Sequence, residues 1–182
     1  MSVEQRLTLK NTNKRLAWAI TGSGHYLRES LQILASIQEV DIFLSRAAAE
    51  IIKQYGFQAQ LDAMGHRIFQ DKTASSVPVE FFYEGLYHTL VIAPVTSNTV
   101  AKMAYGFAES PLLATLLATK APILIAPAMN VNMWKNKLTQ ENISKLENLG
   151  FNIINPSKGV QACGDVGGGR LAEPEELFEL FK

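Results

Sequence analysis

The pattern that decides the fold appears first in residues 16–29, LAWAITGSGHYLRE. A continuous apolar run there ends in a glycine-containing turn, and an amphipathic stretch follows the turn. The same succession returns along the chain and predicts five buried strands, at 16–20, 40–44, 90–93, 123–126 and 151–154. Helices are predicted at 26–36, 47–55, 79–86, 99–107, 112–119, 139–149 and 175–181.

Strands rich in Val, Ile and Leu that alternate with helices are typical of a parallel sheet covered on both faces. The sequence therefore predicts an α/β fold with a doubly wound parallel sheet, a Rossmann-like or flavodoxin-like three-layer sandwich. Ligands of such folds bind beyond the carboxyl ends of the strands. The loops after the first four predicted strands are consequently the candidate binding loops.

Size and composition predict one domain at 15–182, preceded by a polar extension at 1–14. The formal net charge is zero, which argues against a nucleic-acid or membrane-surface partner. With one cysteine and three scattered histidines, no metal site is expected. The polar N-terminus and the absence of a long apolar stretch predict a cytoplasmic protein.

Small hydroxyl side chains, glycines and prolines follow the first four strands. They are Thr21, Gly22, Ser23 and Gly24, then Ser45, then Pro94, Thr96, Ser97, Asn98 and Thr99, and finally Pro127, Ala128, Met129 and Asn130. Helix N-termini with free N–H groups and unobstructed hydroxyls suit one phosphate. The alternative for each Ser, Thr or Asn is a helix N-cap. Because Leu27 stands where a dinucleotide fingerprint needs its third glycine, a mononucleotide is the better interpretation.

Two motifs near the end of the chain also resemble parts of a site. The first runs from Ala126 to Trp134, APAMNVNMW, and the second from Gln161 to Pro174, QACGDVGGGRLAEP. Together they are similar to the substrate-side signature of the homo-oligomeric, FMN-containing cysteine decarboxylase superfamily. The resemblance implies FMN as the cofactor. It implies that the residues named above after strands one to three contact FMN. It also places Ser110, Pro111 and Leu112 beside the flavin ring and Ala128 and Met129 near it.

The decarboxylases of that superfamily place a catalytic His about eight residues before the third predicted strand. Residues 78–82, PVEFF, stand there instead, so decarboxylation is not expected. Residues 18–29 and 43–48 resemble the archaeal-type branch that includes FMN-dependent dihydromethanopterin reductases. This resemblance implies an oxidoreductase acting on CH–NH bonds, in tetrahydromethanopterin biosynthesis and one-carbon metabolism, that passes hydride from reduced FMN to a dihydropterin. A redox protein or NAD(P)H is the expected electron donor.

The candidate substrate contacts are Asn130, Met133, Trp134, Asp165 and Arg170. Asn130 and His25 are the candidate catalytic residues, the first as an orienting amide and the second as a proton donor by its position. Core packing is the alternative for Met133 and Trp134, and a loop clamp is the alternative for Asp165 and Arg170.

Two further function classes stay open: an electron-transfer flavoprotein with a ferredoxin-like partner, and a non-redox, prenyltransferase-like flavin enzyme. Relatives of this type form trimers that assemble further. The resemblance and the apolar stretch from Ala108 to Leu117 therefore predict a homo-oligomer built on trimers.

Overall fold

Six parallel strands form the sheet, in the spatial order β3-β2-β1-β4-β5-β6. The structure, a computed structural model, describes residues 15–73 and 75–154, with the strands at 157–160 and 166–170. The strands are β1 (Arg15–Ile20), β2 (Val40–Leu44), β3 (Arg67–Gln70), β4 (Tyr87–Val95), β5 (Ile123–Pro127) and β6 (Asn152–Ile153). This order confirms the predicted doubly wound α/β fold, with the switch in winding direction between β1 and β4.

Helices connect the strands, close to the predicted positions. They are α1 (Leu27–Leu34), α2 (Arg46–Gln54), α3 (Gln58–Ala63), α4 (Glu80–Tyr83), α5 (Ser97–Ala104), α6 (Pro111–Ala118), α7 (Val131–Lys135) and α8 (Lys137–Asn148). The helix predicted at 175–181 and the extension at 1–14 lie outside the described residues. Among the helices that are described, none is long and apolar enough to cross a membrane.

Several elements were not predicted, among them the helices α3 and α7, which are only six and five residues long. The edge strand β3 was missed because it is short and only half-buried, so its apolar pattern is weak. The strands β7 (Ser157–Val160) and β8 (Val166–Arg170) form an antiparallel pair in the glycine-rich segment, and β8 lies against α7. Glycines in a strand carry no hydrophobic signal, which explains the omission.

Alternation along each strand divides the core into two layers. In β1, Trp18 and Ile20 face one cluster, which includes Leu31 of α1, whereas Ala17 and Ala19 face the other with Phe43 of β2. The Trp18 indole is fully buried and donates from Nε1 to the Ala93 carbonyl, 2.7 Å away. A sheet with apolar residues on both faces needs helices on both sides, which gives the three layers.

A buried carboxylate ties together the first residues of the strands at the amino edge of the sheet. Asp41 is fully buried and accepts from Arg15 Nε at 2.9 Å, from Arg67 and from the Tyr87 hydroxyl at 2.8 Å. Burial and the hydrogen bond to Asp41 raise the pKa of Tyr87, and the same carboxylate raises the pKa of Arg67. Three donors compensate the burial of this charge, so the cluster fastens β1, β3 and β4 to β2. It lies at the edge opposite the candidate binding loops.

Candidate functional site

An open cleft of about 690 Å³ lies at the carboxyl edge of the sheet. Its walls come from the segments after β1, β2, β3 and β4 and from Met133 of α7. The lining residues are Gly22, Ser45, Arg46, Ala47, Asp71, Lys72, Thr73, Thr96, Asn98, Thr99, Lys102, Glu109, Ser110, Pro111, Leu112, Leu113 and Met133. This volume is within the range of pockets that hold cofactor-sized ligands.

The ends of β1 and β4 are joined through the side chain of Thr21. Its hydroxyl donates to the Pro94 carbonyl at 3.0 Å and accepts from the Thr96 N–H at 2.9 Å. The Thr21 N–H also donates to Pro94, at 3.1 Å. Because Thr21 is buried and bonded on both sides, it holds the two strand ends in place rather than facing the cleft.

The start of α2 offers main-chain donors to the cleft. Ser45 is the N-cap, and its Oγ accepts from the Ala48 N–H at 3.1 Å. The first amides of a helix, here those of Arg46 and Ala47, have no carbonyl one turn earlier to bond. Gly22 packs against this turn so closely that a Cβ on it would lie 2.6 Å from the Ala47 Cβ. A glycine is therefore required where the first loop meets α2.

The start of α5 repeats this arrangement on the neighbouring wall. Thr96 is the N-cap, and its Oγ1 accepts from the Thr99 N–H at 3.2 Å. The Ser97 hydroxyl forms a hydrogen bond of 3.0 Å with the Thr139 hydroxyl of α8. Asn98, the next residue, is exposed and lines the cleft. The helix dipole and the first amides of α5 favour an anion at this end.

The start of α6 differs because its first donors are already used. Pro111 has no N–H, the Leu112 N–H donates to Asp71 Oδ1 at 3.5 Å, and the Leu113 N–H donates to the Ser110 hydroxyl at 3.3 Å. The resemblance places Ser110, Pro111 and Leu112 beside the flavin ring, and main-chain donation from this turn to the ring would need these bonds to change. Free amides for a phosphate are found at α2 and α5, and with the glycine at 22 they fit a phosphate group.

Charged side chains of both signs line the cleft. Asp71 is buried, with 8% of its surface exposed, whereas Arg46 and Lys72 are exposed. Lys102 and Glu109 form an ion pair at the cleft wall. Among the described lining residues there is no histidine, and Asp71 is the one ionisable side chain that is buried.

The turn after β5 lies beside the cleft. Asn130 is the N-cap of α7, and its Oδ1 accepts from the Met133 N–H at 2.8 Å. Met133 is 43% exposed and lines the cleft. Trp134 is half-buried and packs against the core cluster that includes Phe43, so packing accounts for its position.

Ser23 and His25 occupy the first loop outside the cleft lining. The Ser23 hydroxyl is buried and donates to the Ala128 carbonyl at 2.9 Å, which connects the first loop to the turn after β5. The Nδ1 atom of His25 is buried without a hydrogen-bond partner among the described residues.

The structure brings together about half of the predicted site residues. Those that line the cleft are Gly22, Ser45, Thr96, Asn98, Thr99, Ser110, Pro111, Leu112 and Met133. Those outside the lining are Thr21, Ser23, Gly24, His25, Pro94, Ser97, Ala128, Met129, Asn130 and Trp134. Asp165 and the side chain of Arg170 lie outside the described residues. The individual roles of all these residues stay predictions.

Sequence reasoning missed several lining residues. Asp71, Lys72 and Thr73 follow β3 and could not be assigned without that strand. Lys102 had a usable signal, since it lies three and four residues after Thr99 and Asn98 and so shares their helix face.

A family model described as Flavoprotein matches residues 4–182. This chain belongs to the Flavoprotein family. It is 34% identical over 173 residues to the coenzyme A biosynthesis bifunctional protein CoaBC of Haemophilus influenzae, a match that covers 93% of this chain and 43% of that protein. The chain thus spans less than half the length of such relatives.

Solved structures share the fold over most of the chain. One is a PPC decarboxylase mutant complexed with pantothenoylaminoethenethiol, 25% identical, with a TM-score of 0.74 over 91% of this chain and 94% of that one. Another is Burkholderia xenovorans DmrB in complex with FMN, described as a cubic protein cage for redox transfer. It is 33% identical, with a TM-score of 0.68 over 79% of this chain and 89% of that one. The predicted cofactor, FMN, is confirmed.

The prediction of dihydropterin reduction is wrong. The matches include CoaBC, a coenzyme A biosynthesis protein, over 93% of the chain, a probable phosphopantothenoylcysteine decarboxylase of Streptococcus mutans over 50%, and a PPC decarboxylase structure over 91%. None of these is described as a CH–NH oxidoreductase of tetrahydromethanopterin biosynthesis. The segments that suggested the pterin branch, 18–29 and 43–48, form β1, its loop and the start of α2. These elements build the sheet and the cofactor cleft, so they carry no information about the substrate. The absence of a His at 78–82 was likewise not a sufficient reason to expect no decarboxylation.

Proposed function

We propose that this chain is an FMN-dependent decarboxylase that acts on a cysteine-type substrate, a small molecule with a thiol beside a carboxylate. The observation that carries the proposal is the 34% identity to CoaBC over 93% of the chain. The cleft supports it, since anion-binding helix starts and a mixed polar and apolar wall line one open space.

Two walls of the cleft would hold the FMN phosphate. The amides of Arg46 and Ala47 and those at the start of α5 are the donors, with Gly22 allowing close approach. The side chains of Leu112, Leu113 and Met133 supply apolar surface for a flat ring. FMN, when bound, would supply the two-electron acceptor that oxidises the CH₂–SH group of the substrate to a thioaldehyde. The carboxylate could then leave as CO₂, with the electron pair of the broken C–C bond retained in an enethiolate product.

Asp71 is the residue that would accept the thiol proton. Relatives with this activity use a His before β4, but the matching residues here are Pro78 to Phe82 and contain none. Asp71 lies on the same connection between β3 and β4, is buried and lines the cleft. A carboxylate in a cleft wall is a competent general base when it reaches the substrate.

Asn130 would orient the substrate from the turn after β5. Its Oδ1 is used in capping α7, and the structure records no acceptor for its side-chain N–H₂ group among the described residues. That group is available to donate to a carboxylate. Substitution of Asn130 by Ala also removes a helix cap, so Asn130→Asp, which keeps the cap and loses the donor, is the better variant.

The protein would assemble as a closed homo-oligomer built on trimers. DmrB is described as a cubic cage, which is an oligomer. In this chain Tyr105, Phe107 and Leu117 are each more than half exposed around α5 and α6. An interface between subunits would cover these large apolar side chains.

Anaerobic incubation of the FMN-loaded protein with thiol acids tests the proposal. Pantothenoylcysteine and N-acetylcysteine should bleach the flavin absorbance and release CO₂, and N-acetylserine, which lacks the thiol, should do neither. A fully FMN-loaded protein that leaves every thiol acid unchanged refutes the decarboxylase assignment.

A further inference from the structure

An ion pair lines the cleft away from the helix starts that we propose for the cofactor phosphate. Lys102 on α5 contacts Glu109 on the connection from α5 to α6, and both residues line the cleft. Lys102 follows Asn98 by four residues and Thr99 by three, so it lies on the same helix face. At 1.5 Å per residue, it is about 6 Å further along α5 than Asn98, away from the anion-binding start of the helix.

The pair is placed so that a ligand can take over one partner. The Lys102 side chain is 29% exposed and that of Glu109 is 52% exposed. Ion pairs at such exposure contribute at most about 1 kcal/mol, so an anion competes with Glu109 at little cost. Arg46 and Lys72, the other described cations of the cleft, are exposed, whereas Asp71 already accepts from the Leu112 N–H.

The need for a cation follows from the substrate chemistry. A thiol acid brings a carboxylate that must be held beside the cofactor, and the FMN phosphate would use the donors at the starts of α2 and α5. A single ammonium at a distance from those donors is suited to a second, smaller anion. Among the described cations of the cleft, only Lys102 has an ion-pair partner, Glu109, that a ligand carboxylate can replace.

We propose that Lys102 recognises the carboxylate of the substrate and that Glu109 occupies the ammonium until the substrate carboxylate replaces it. This inference rests on the proposed function. It makes Lys102 a specificity-determining residue for acids over their decarboxylated counterparts. Glu109 lowers the affinity for every anionic ligand of this position by competing for the same cation.

Two unreactive probes test this by isothermal titration calorimetry on the FMN-loaded protein. N-acetylserine carries the carboxylate, and N-acetylethanolamine lacks it. Lys102→Met should weaken N-acetylserine binding by at least about 10-fold and leave N-acetylethanolamine unchanged. Glu109→Gln should strengthen N-acetylserine binding, because it removes the competitor. Lys120→Met, at an exposed lysine outside the cleft lining, is the matched control and should change neither.

The affinities of the apoprotein for FMN and riboflavin provide the second readout. If Lys102→Met weakens FMN but not riboflavin, the ammonium serves the cofactor phosphate and the inference is overturned. It is also overturned if the wild type does not prefer N-acetylserine, or if Glu109→Gln weakens its binding. A protein that releases no CO₂ from thiol acids yet binds N-acetylserine through Lys102 refutes the decarboxylase function and keeps the carboxylate site.

Discussion

Replacing Gly22 by Ala should weaken FMN binding through main-chain displacement alone. The added Cβ would lie 2.6 Å from the Ala47 Cβ. Carbon atoms in contact are normally about 3.5–4.0 Å apart, so the first loop and the start of α2 must separate by roughly 1 Å. Ala47 is on a helix and has no side chain that can swing aside, so the backbone takes up the whole shift.

The expected magnitude follows from the donors that move. Hydrogen bonds to charged groups contribute about 1.5–3 kcal/mol each, and losing one such bond to the phosphate weakens FMN by roughly 10- to 150-fold. Overpacking adds about 1–3 kcal/mol of destabilisation to the folded protein. Riboflavin has no phosphate, so its affinity should change far less than that of FMN.

Fluorescence titration of the apoprotein with FMN and with riboflavin measures both affinities. Gly24 is one of the FMN contacts that the resemblance implies, but it lies outside the cleft lining, so Gly24→Ala in the same loop is the matched control. Its new Cβ would meet the ring of Tyr55 at 2.7 Å. Tyr55 is 56% exposed and can move its side chain, so this variant should bind FMN nearly normally. A folded Gly22→Ala protein with an unchanged ratio of FMN to riboflavin affinity refutes the assignment of the phosphate to α2.

Three other variants test the rest of the molecule. Tyr87→Phe should lose about 1.5–3 kcal/mol at pH 7 in urea unfolding, because Asp41 loses a donor. Folding raises the pKa of Tyr87 above its ordinary 10.0. The extra stability of the wild type over Tyr87→Phe is therefore complete below that pH and shrinks above it. Unfolding free energies of the two proteins that run parallel with pH would contradict this. Asp71→Asn should keep its FMN and lose CO₂ release by about 100-fold or more, and unchanged turnover would exclude Asp71 as the base. Sedimentation of the wild type should give a multiple of three subunits that Phe107→Ser combined with Leu117→Gln dissociates, whereas an FMN-loaded wild-type monomer at micromolar concentration would argue against the trimer.

The sequence predicted the central strands because their residues are buried on both faces. Runs such as 16–20 and 123–126 have no polar side to break the apolar pattern, and the structure places them in the middle of the sheet. The edge strand β3 has exposed and half-buried residues, beginning with Arg67, which is held by its neighbour Asp41 at the amino end of β2. Such a strand is fixed by a tertiary ion pair, which no local pattern reveals.

The candidate site was predicted where a helix start follows a strand. Ser45, Thr96 and Ser110 each cap a helix and each line the cleft, so the capping interpretation is confirmed and the binding interpretation stays a prediction. Thr21 and Ser23 show the limit of the same reasoning. Their hydroxyls bond main-chain carbonyls of Pro94 and Ala128, and an exposed hydroxyl cannot be told from a buried one by residue type.

The error in the predicted reaction has a physical origin as well. The residues that hold FMN are fixed by the phosphate and the ring, which do not change with the substrate, so a match in those loops identifies the cofactor alone. A substrate has to be recognised by groups that the cofactor leaves free, for which we propose the Lys102 ammonium, the Asp71 carboxylate and the Asn130 amide. Of these three, Asp71 follows from the structure alone, because it depends on the unpredicted β3. The spacing of Lys102 from Asn98 and Thr99 is visible in the sequence, and only its place in the cleft wall needs the structure. The choice between reactions therefore depends on side chains whose importance is visible only once the strands have brought them to one cleft.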